Sequence, residues 1–251
     1  MSKKIKNNHV LIVGAGSSLA IYWDKIKEFI DKNRVITVGT NRINHILTPD
    51  YHLWGDPRVY RNFGNEINKK SILILGQNID TENRRSHWLG PYKTIKFTRL
   101  HWKDSYNDPT HRFYGEGDIK YNKKTKEFHG VFRTIGTLAI LWSYIKKASK
   151  ISVVGMDGYT FYSEDELREK NKEERQHCYG KGFTDAFARN MSRDKLKNKN
   201  KSHEFYKLAV KKDRDVYRTL RSIKKYGIEF EILTPTVYKD FYDSDVLGIG
   251  E

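Results

Sequence analysis

The chain has 251 residues, of which 37% are hydrophobic, 31% charged and 13% aromatic, and its formal charge is +16. That length can bury a substantial core as one α/β domain, and so many aromatic side chains exclude a disordered polymer. A single cysteine, Cys178, excludes an intramolecular disulfide and a cysteine-based zinc site and points to a reducing compartment, while no run of about eighteen apolar residues offers a membrane span.

In chain order, the basic start Met1-Ser2-Lys3-Lys4 precedes an apolar run too short for a signal peptide, so a cytoplasmic protein is expected. Residues 9–13 predict a buried strand entering the turn Gly14-Ala15-Gly16-Ser17-Ser18, and residues 19–32 a helix with Leu19, Trp23, Ile26 and Ile30 on one face. Further strands are predicted at 35–38, 51–54, 72–75 and 94–97. Residues 101–132 read as a hairpin insertion around Asn122-Lys123-Lys124-Thr125-Lys126. A helix at 134–147, burying Ile135, Leu138, Ala139, Leu141 and Trp142, leads to a strand at 151–154 and the turn Gly155-Met156-Asp157-Gly158.

Residues 159–201 lack periodicity and are expected to form a lid. Residues 203–226 predict an amphipathic helix with Phe205, Leu208, Ala209, Val216, Leu220 and Ile223 inward, and 229–233 a closing strand before Pro235. Continuous apolar strands alternating with helices define the expected fold: one Rossmann-like α/β domain over 1–251, with a mostly parallel sheet, helices on both faces and a lid insertion before the last helix.

Paired glycines between a strand and a helix let backbone N–H groups approach a phosphate, and Ser17 and Ser18 add hydroxyls. The turn is not a dinucleotide fingerprint. Leu19 stands at the third glycine position, and the second strand leads to Gly39-Thr40-Asn41 without an acidic residue for a ribose. A Walker lysine is also missing. Ligands of open α/β sheets lie beyond the carboxyl ends of the strands, which singles out Asn41 for a base or ribose, and Asp56 and Asp157 for ribose hydroxyls or a magnesium ion. Asp56-Pro57 and Asp157-Gly158 are equally ordinary turn dipeptides.

The segment Leu11-Ile12-Val13-Gly14-Ala15-Gly16-Ser17-Ser18-Leu19 resembles the Gly-x-Gly-Pro-Ser-Leu opening of small bacterial CMP-sialic-acid-dependent sialyltransferases. Arg133-Thr134-Ile135-Gly136-Thr137 and Val154-Gly155-Met156-Asp157-Gly158-Tyr159 are similar to their Thr-Ser-Gly helix and Gly-Ile-Asp-x-Tyr turn. Pro49-Asp50-Tyr51 and Asp56-Pro57 recur in a wider superfamily of motility-associated glycosyltransferases and 6-hydroxymethylpterin diphosphokinases. The resemblance covers the two sheet-forming blocks, and its motifs are more specific for the superfamily than for the reaction. Ser17 replaces the usual proline, Ile135 a serine, and Asp56 the sialyltransferases' asparagine.

Carried over, the resemblance implies that Gly14, Gly16, Ser18, Asn41 and Gly136 line a nucleotide and that Tyr159 donates to the departing phosphate. It also implies that a histidine near the start of the last helix deprotonates the acceptor without a metal. His203 sits in that region, and His177 in the lid is the reserve. The first reading is thus a glycosyltransferase moving a CMP-activated nonulosonic (sialic-type) acid to a cell-surface glycan or flagellin, with no resident cofactor. The second is a diphosphokinase in which Asp56 and Asp157 hold magnesium. The third is a non-catalytic nucleotide- or nucleic-acid-binding module, disfavoured because few aromatics interleave with the basic run. That run, 193–225, carries thirteen Lys/Arg against four Asp/Glu and suits peripheral association with the anionic inner face of a membrane or an anionic acceptor. The oligomeric state is left open, a homo-oligomer included.

Overall fold

A computed structural model describes residues 4–43, 45–76, 79, 97–104, 119–122, 124, 127–130, 132–163, 166 and 199–249. Among them are nine strands: β1 His9–Val13, β2 Ile36–Thr40, β3 Tyr51–Trp54, β4 Ile72–Gly76, β5 Phe97–Asp104, β6 Lys120–Asn122, β7 Glu127–Gly130, β8 Lys150–Val154 and β9 Glu231–Ile232. The helices are α1 Ser17–Ile21, α2 Trp23–Asn33, α3 Pro57–Phe63, α4 Ile135–Ile145 and α5 Lys199–Lys225.

All nine strands join one sheet in the order β6-β7-β5-β4-β3-β2-β1-β8-β9. Every neighbouring pair is parallel except β6 with β7. The continuous apolar runs explain this. In β1, β2 and β8, four or five successive residues are buried, which a strand achieves only when both faces of its sheet are covered. On one face Val10, Ile12, Ile36, Val38, Leu53 and Ile74 pack with Leu138, Leu141 and Trp142 of α4 and with Val216, Leu220 and Ile223 of α5. On the other face Leu11 and Val13 pack with Leu19 of α1 and Ile26 and Phe29 of α2. Each such aliphatic side chain contributes about 1.5–3 kcal/mol by leaving water. The protein therefore has the Rossmann-like α/β fold expected, with a mostly parallel sheet and helices on both faces.

Several boundaries differ from expectation for local reasons. The first helix is interrupted at Tyr22, whose φ of −109° and ψ of 21° leave the helical well, although Ile26 N–H still donates to the Tyr22 carbonyl at 3.0 Å. The fifth strand is described over Phe97–Asp104, so 101–104 belong to the sheet rather than to an insertion. The hairpin is present as antiparallel β6 and β7, and β7 continues the sheet beside β5. The closing strand shrinks to Glu231–Ile232; Leu233 N–H still donates to the Val153 carbonyl of β8 at 2.8 Å, and beyond it the Thr234 hydroxyl accepts from Gly155 N–H in the turn after β8. Leu208 is 51% exposed, not inward, because it lies off the stripe formed by Ala209, Val216, Leu220 and Ile223. Most of the expected lid, His177, Cys178, residues 94–96 and the side chain of Phe205 lie outside the described residues.

Candidate functional site

The strand order sets the place. From β1 the chain lays β2, β3, β4 and β5 to one side, then returns to put β8 on the other side. Such a reversal opens a crevice at the carboxyl ends of the two flanking strands, here β1 and β8. The glycine turn after β1 meets the glycine turn after β8 at this point. Gly14 N–H donates to the Val154 carbonyl at 2.8 Å, and Gly16 N–H to the Gly155 carbonyl at 2.9 Å. A Cβ on Gly14 would overlap the Gly155 carbonyl, and one on Gly16 would lie 2.5 Å from the Asp157 carboxylate carbon. Both glycines are thus required by the contact between the two turns.

Asp157 is the centre of that contact. It is buried, accepts from Ser18 N–H at 2.8 Å and also accepts from the Ser18 hydroxyl. A carboxylate therefore occupies the start of α1, where a phosphate was expected, and α1 is itself only five residues long. The Gly14, Gly16 and Ser18 N–H groups and the Ser18 hydroxyl are spent inside the protein, which leaves Ser17 as the hydroxyl of this turn without a partner among the described residues. Asp157 is likewise held by Ser18 rather than offered to magnesium. Among the described residues no group of three or more His, Cys, Asp or Glu side chains could hold a metal ion. Asp56 begins the first turn of α3, its carbonyl accepting from Tyr60 N–H at 3.0 Å.

The β8 turn is anchored from α5. Asp213, 8% exposed, accepts from Tyr159 N–H at 2.8 Å and the Tyr238 hydroxyl at 2.7 Å through Oδ1. Through Oδ2 it accepts from Thr160 N–H at 2.7 Å and the Thr160 hydroxyl at 2.6 Å. Thr234 and Thr236 add further ties, to Gly155 N–H and to the Met156 carbonyl. Burial, and then the Asp213 carboxylate, push the Tyr238 hydroxyl well above its ordinary range. Tyr159, expected to meet a leaving phosphate, donates its hydroxyl to the Arg133 carbonyl at 3.1 Å, while Arg133 pairs with Asp215 at 2.9 Å. Gly136, second residue of α4, lets that helix approach Met156, whose sulfur would lie 3.3 Å from a Cβ there.

Beyond β1 and β2 the polar groups are less completely satisfied. Asn41 adopts a left-handed φ of 53°, and the Thr40 hydroxyl ties this corner to the Val13 carbonyl at 3.2 Å. The Asn41 carbonyl accepts from His52 Nε2 at 2.5 Å. Ser17 Oγ, Asn41 Oδ1, His52 Nδ1 and Trp54 Nε1 are buried with no hydrogen-bond partner among the described residues. His52 and Trp54 share a face of β3, their rings 4.9 Å apart. Burial pulls His52 down from 6.5 to about 4, the Asn41 carbonyl opposing it, so the ring is neutral at physiological pH.

The structure thus brings Gly14, Gly16, Ser18 and Asp157 into one contact, places Gly136 beside it through Met156, and sets Ser17 at the start of α1 and Asn41 just after β2. It does not gather His203 with them: His203 is exposed, on the side of α5 turned away from the sheet. Sequence reasoning missed Asp213 and His52. The signal for Asp213 was a carboxylate at a core position of an otherwise apolar helical stripe, and for His52 a polar residue in mid-strand. In sequence, no protein-family model and no curated protein matches this chain.

Proposed function

We propose that the protein is a glycosyltransferase using a nucleotide-activated sugar, with a CMP-activated acidic sugar of the nonulosonic type as donor and a surface glycan or flagellin as acceptor. The observation that carries the reading is the pair of unpartnered buried atoms, Ser17 Oγ at the start of α1 and Asn41 Oδ1 just after β2, at the carboxyl ends of the neighbouring strands β1 and β2. A buried acceptor left bare costs about 1–3 kcal/mol, which a donor on a base or ribose would recover. Recognition then rests on the nucleoside. The Asp157 carboxylate at the start of α1 repels phosphates from the turn itself, which burdens the single phosphate of a CMP-sugar less than the three of ATP in the diphosphokinase reading.

The test is thermal stabilisation by CMP, CDP, UDP, GDP and ATP, each with and without magnesium, on the parent and on Asn41→Ala. A ligand at about a hundred times its Kd adds about 2.7 kcal/mol to folded stability. Metal-independent stabilisation by CMP, lost in Asn41→Ala, is the expected result. A response to ATP that requires magnesium would favour the diphosphokinase, and no response to any nucleotide would refute the site.

A further inference from the structure

Along α5, Lys207, Lys211, Arg214, Arg218, Arg221 and Lys225 follow one another in steps of four, three, four, three and four residues. At 100° per residue all six fall on one side of the helix, opposite the buried Ala209, Val216, Leu220 and Ile223. They form a ridge about 27 Å long at 1.5 Å per residue. Five of the six are exposed and Arg218 is half-buried.

A solvated helix face ordinarily mixes signs, because Glu and Lys one turn apart support each other. This one does not. Between 207 and 225 the helix has two carboxylates, Asp213 and Asp215, and both are buried, one holding the β8 turn and the other paired with Arg133. Lysines off the ridge turn elsewhere: Lys212 lies over the Tyr159 ring at 4.6 Å and Lys224 pairs with Glu229 at 2.6 Å. The ridge is flanked by large apolar side chains left in water, Leu208 at 51%, Val210 at 43% and Tyr226 at 45% exposed.

We propose that this outer face of α5 docks on an anionic lipid bilayer. Charge alone would suit a nucleic acid equally, but the apolar flanks decide between the two. Phosphodiester backbones give Leu208 and Val210 nothing, whereas the headgroup boundary accepts aliphatic and tyrosine side chains beside a row of cations. A straight, single-file row also matches a flat surface. Among described residues the only ring paired with a ridge cation is Tyr217, half-buried under Arg221, and two of the three exposed apolar side chains beside the ridge, Leu208 and Val210, are aliphatic and offer bases no stacking face. Because Asp213, midway along α5, holds the turn at the carboxyl end of β8, docking would hold the crevice close to the lipid surface.

The experiment is co-sedimentation of the full chain with vesicles of equal parts phosphatidylglycerol and phosphatidylcholine, against phosphatidylcholine alone, with duplex DNA and single-stranded RNA measured in parallel. Binding to the anionic vesicles alone is expected. It should fall at least a hundredfold in Lys207→Glu/Arg214→Glu/Lys225→Glu, since each basic residue near an anionic leaflet is worth about five-fold and reversal counts twice. Leu208→Ala should weaken it severalfold. The matched variant Lys27→Glu/Lys32→Glu/Lys70→Glu, with the same net charge, should bind like the parent. Should the ridge triple variant melt early, Lys207→Gln/Arg214→Gln gives the same reading with a loss of about 25-fold. The proposal is overturned if no vesicles are bound, if the matched variant loses as much as the ridge variant, or if nucleic acid is held more tightly than vesicles.

Discussion

Acid should unfold this protein earlier than its carboxylates alone would require, through His52. In the folded chain the imidazole is fully buried, its Nε2–H donates to the Asn41 carbonyl, and Nδ1 has no acceptor among the described residues. A second proton would therefore rest on Nδ1 with neither water nor partner. The Trp54 ring at 4.9 Å could offer a cation about 1–2 kcal/mol, less than the desolvation it would suffer. The folded ring holds out to about 4, while an unfolded histidine takes its proton near 6.5. Between those values the unfolded state binds the extra proton, so stability is complete above about pH 6.5 and falls as pH drops toward 4. The gap of roughly two and a half units, at 1.36 kcal/mol each, makes the loss about 3 kcal/mol, a large share of a typical 5–15 kcal/mol.

The assay is urea unfolding at about pH 7.5 and about pH 4.5 for the parent and for His52→Gln, which can keep a donor to Asn41 but does not titrate. Any fixed cost of the substitution cancels in the comparison. The parent should lose about 2–3 kcal/mol more than the variant over that span. Parallel losses in the two proteins, or an imidazole resonance for His52 titrating near 6.5, would refute the reasoning.

Other consequences arise from the turn that Asp213 anchors. Asp213→Ala strips the acceptor from four donors and should cost about 4 kcal/mol in urea unfolding, with Asp213→Asn costing about half; a loss below about 1 kcal/mol would show that the turn is held elsewhere. Gly16→Ala forces a methyl group onto the Asp157 carboxylate and should cost at least about 2 kcal/mol, but distinctly less in an Asp157→Ala background; additive costs in the double-mutant cycle would contradict that contact. Tyr238 keeps its proton when folded and gives it up near 10 when unfolded, so parent stability should decline as pH rises past about 10. Tyr238→Phe should show a shallower decline, and an unchanged alkaline limb in pH-dependent melting would count against it.

The strands that run through the middle of the sheet were legible because being buried on both faces requires uninterrupted apolar residues, and β1, β2, β4 and β8 show them. Ends were harder. The break at Tyr22 lies in the backbone angles of a single residue, and the two-residue β9 depends on bonds to β8 about eighty positions away, neither of which composition announces. Chemistry was harder still. A glycine pair followed by serines has one local pattern whether it cradles a phosphate or receives a carboxylate from a turn 139 positions away, and only the folded chain shows that Asp157 fills the space. Leu208 and Asp213 illustrate the same limit on α5: the apolar period was visible, but one leucine sits outside it and one carboxylate sits within it.

The pairing of β1 with β8 carries a consequence for how the protein is made. His9 lies opposite Lys150, so β1 must wait during synthesis for a neighbour roughly 140 residues downstream. At ordinary elongation speeds that delay is on the order of ten seconds. Throughout it, one border of β1 is an unpaired row of amides and carbonyls set among fully apolar side chains, which exposes the nascent chain to mispairing and makes it a natural client for a holding chaperone. The crevice itself does not exist until β8 arrives, so any ligand bound there will meet only chains whose two halves have already joined.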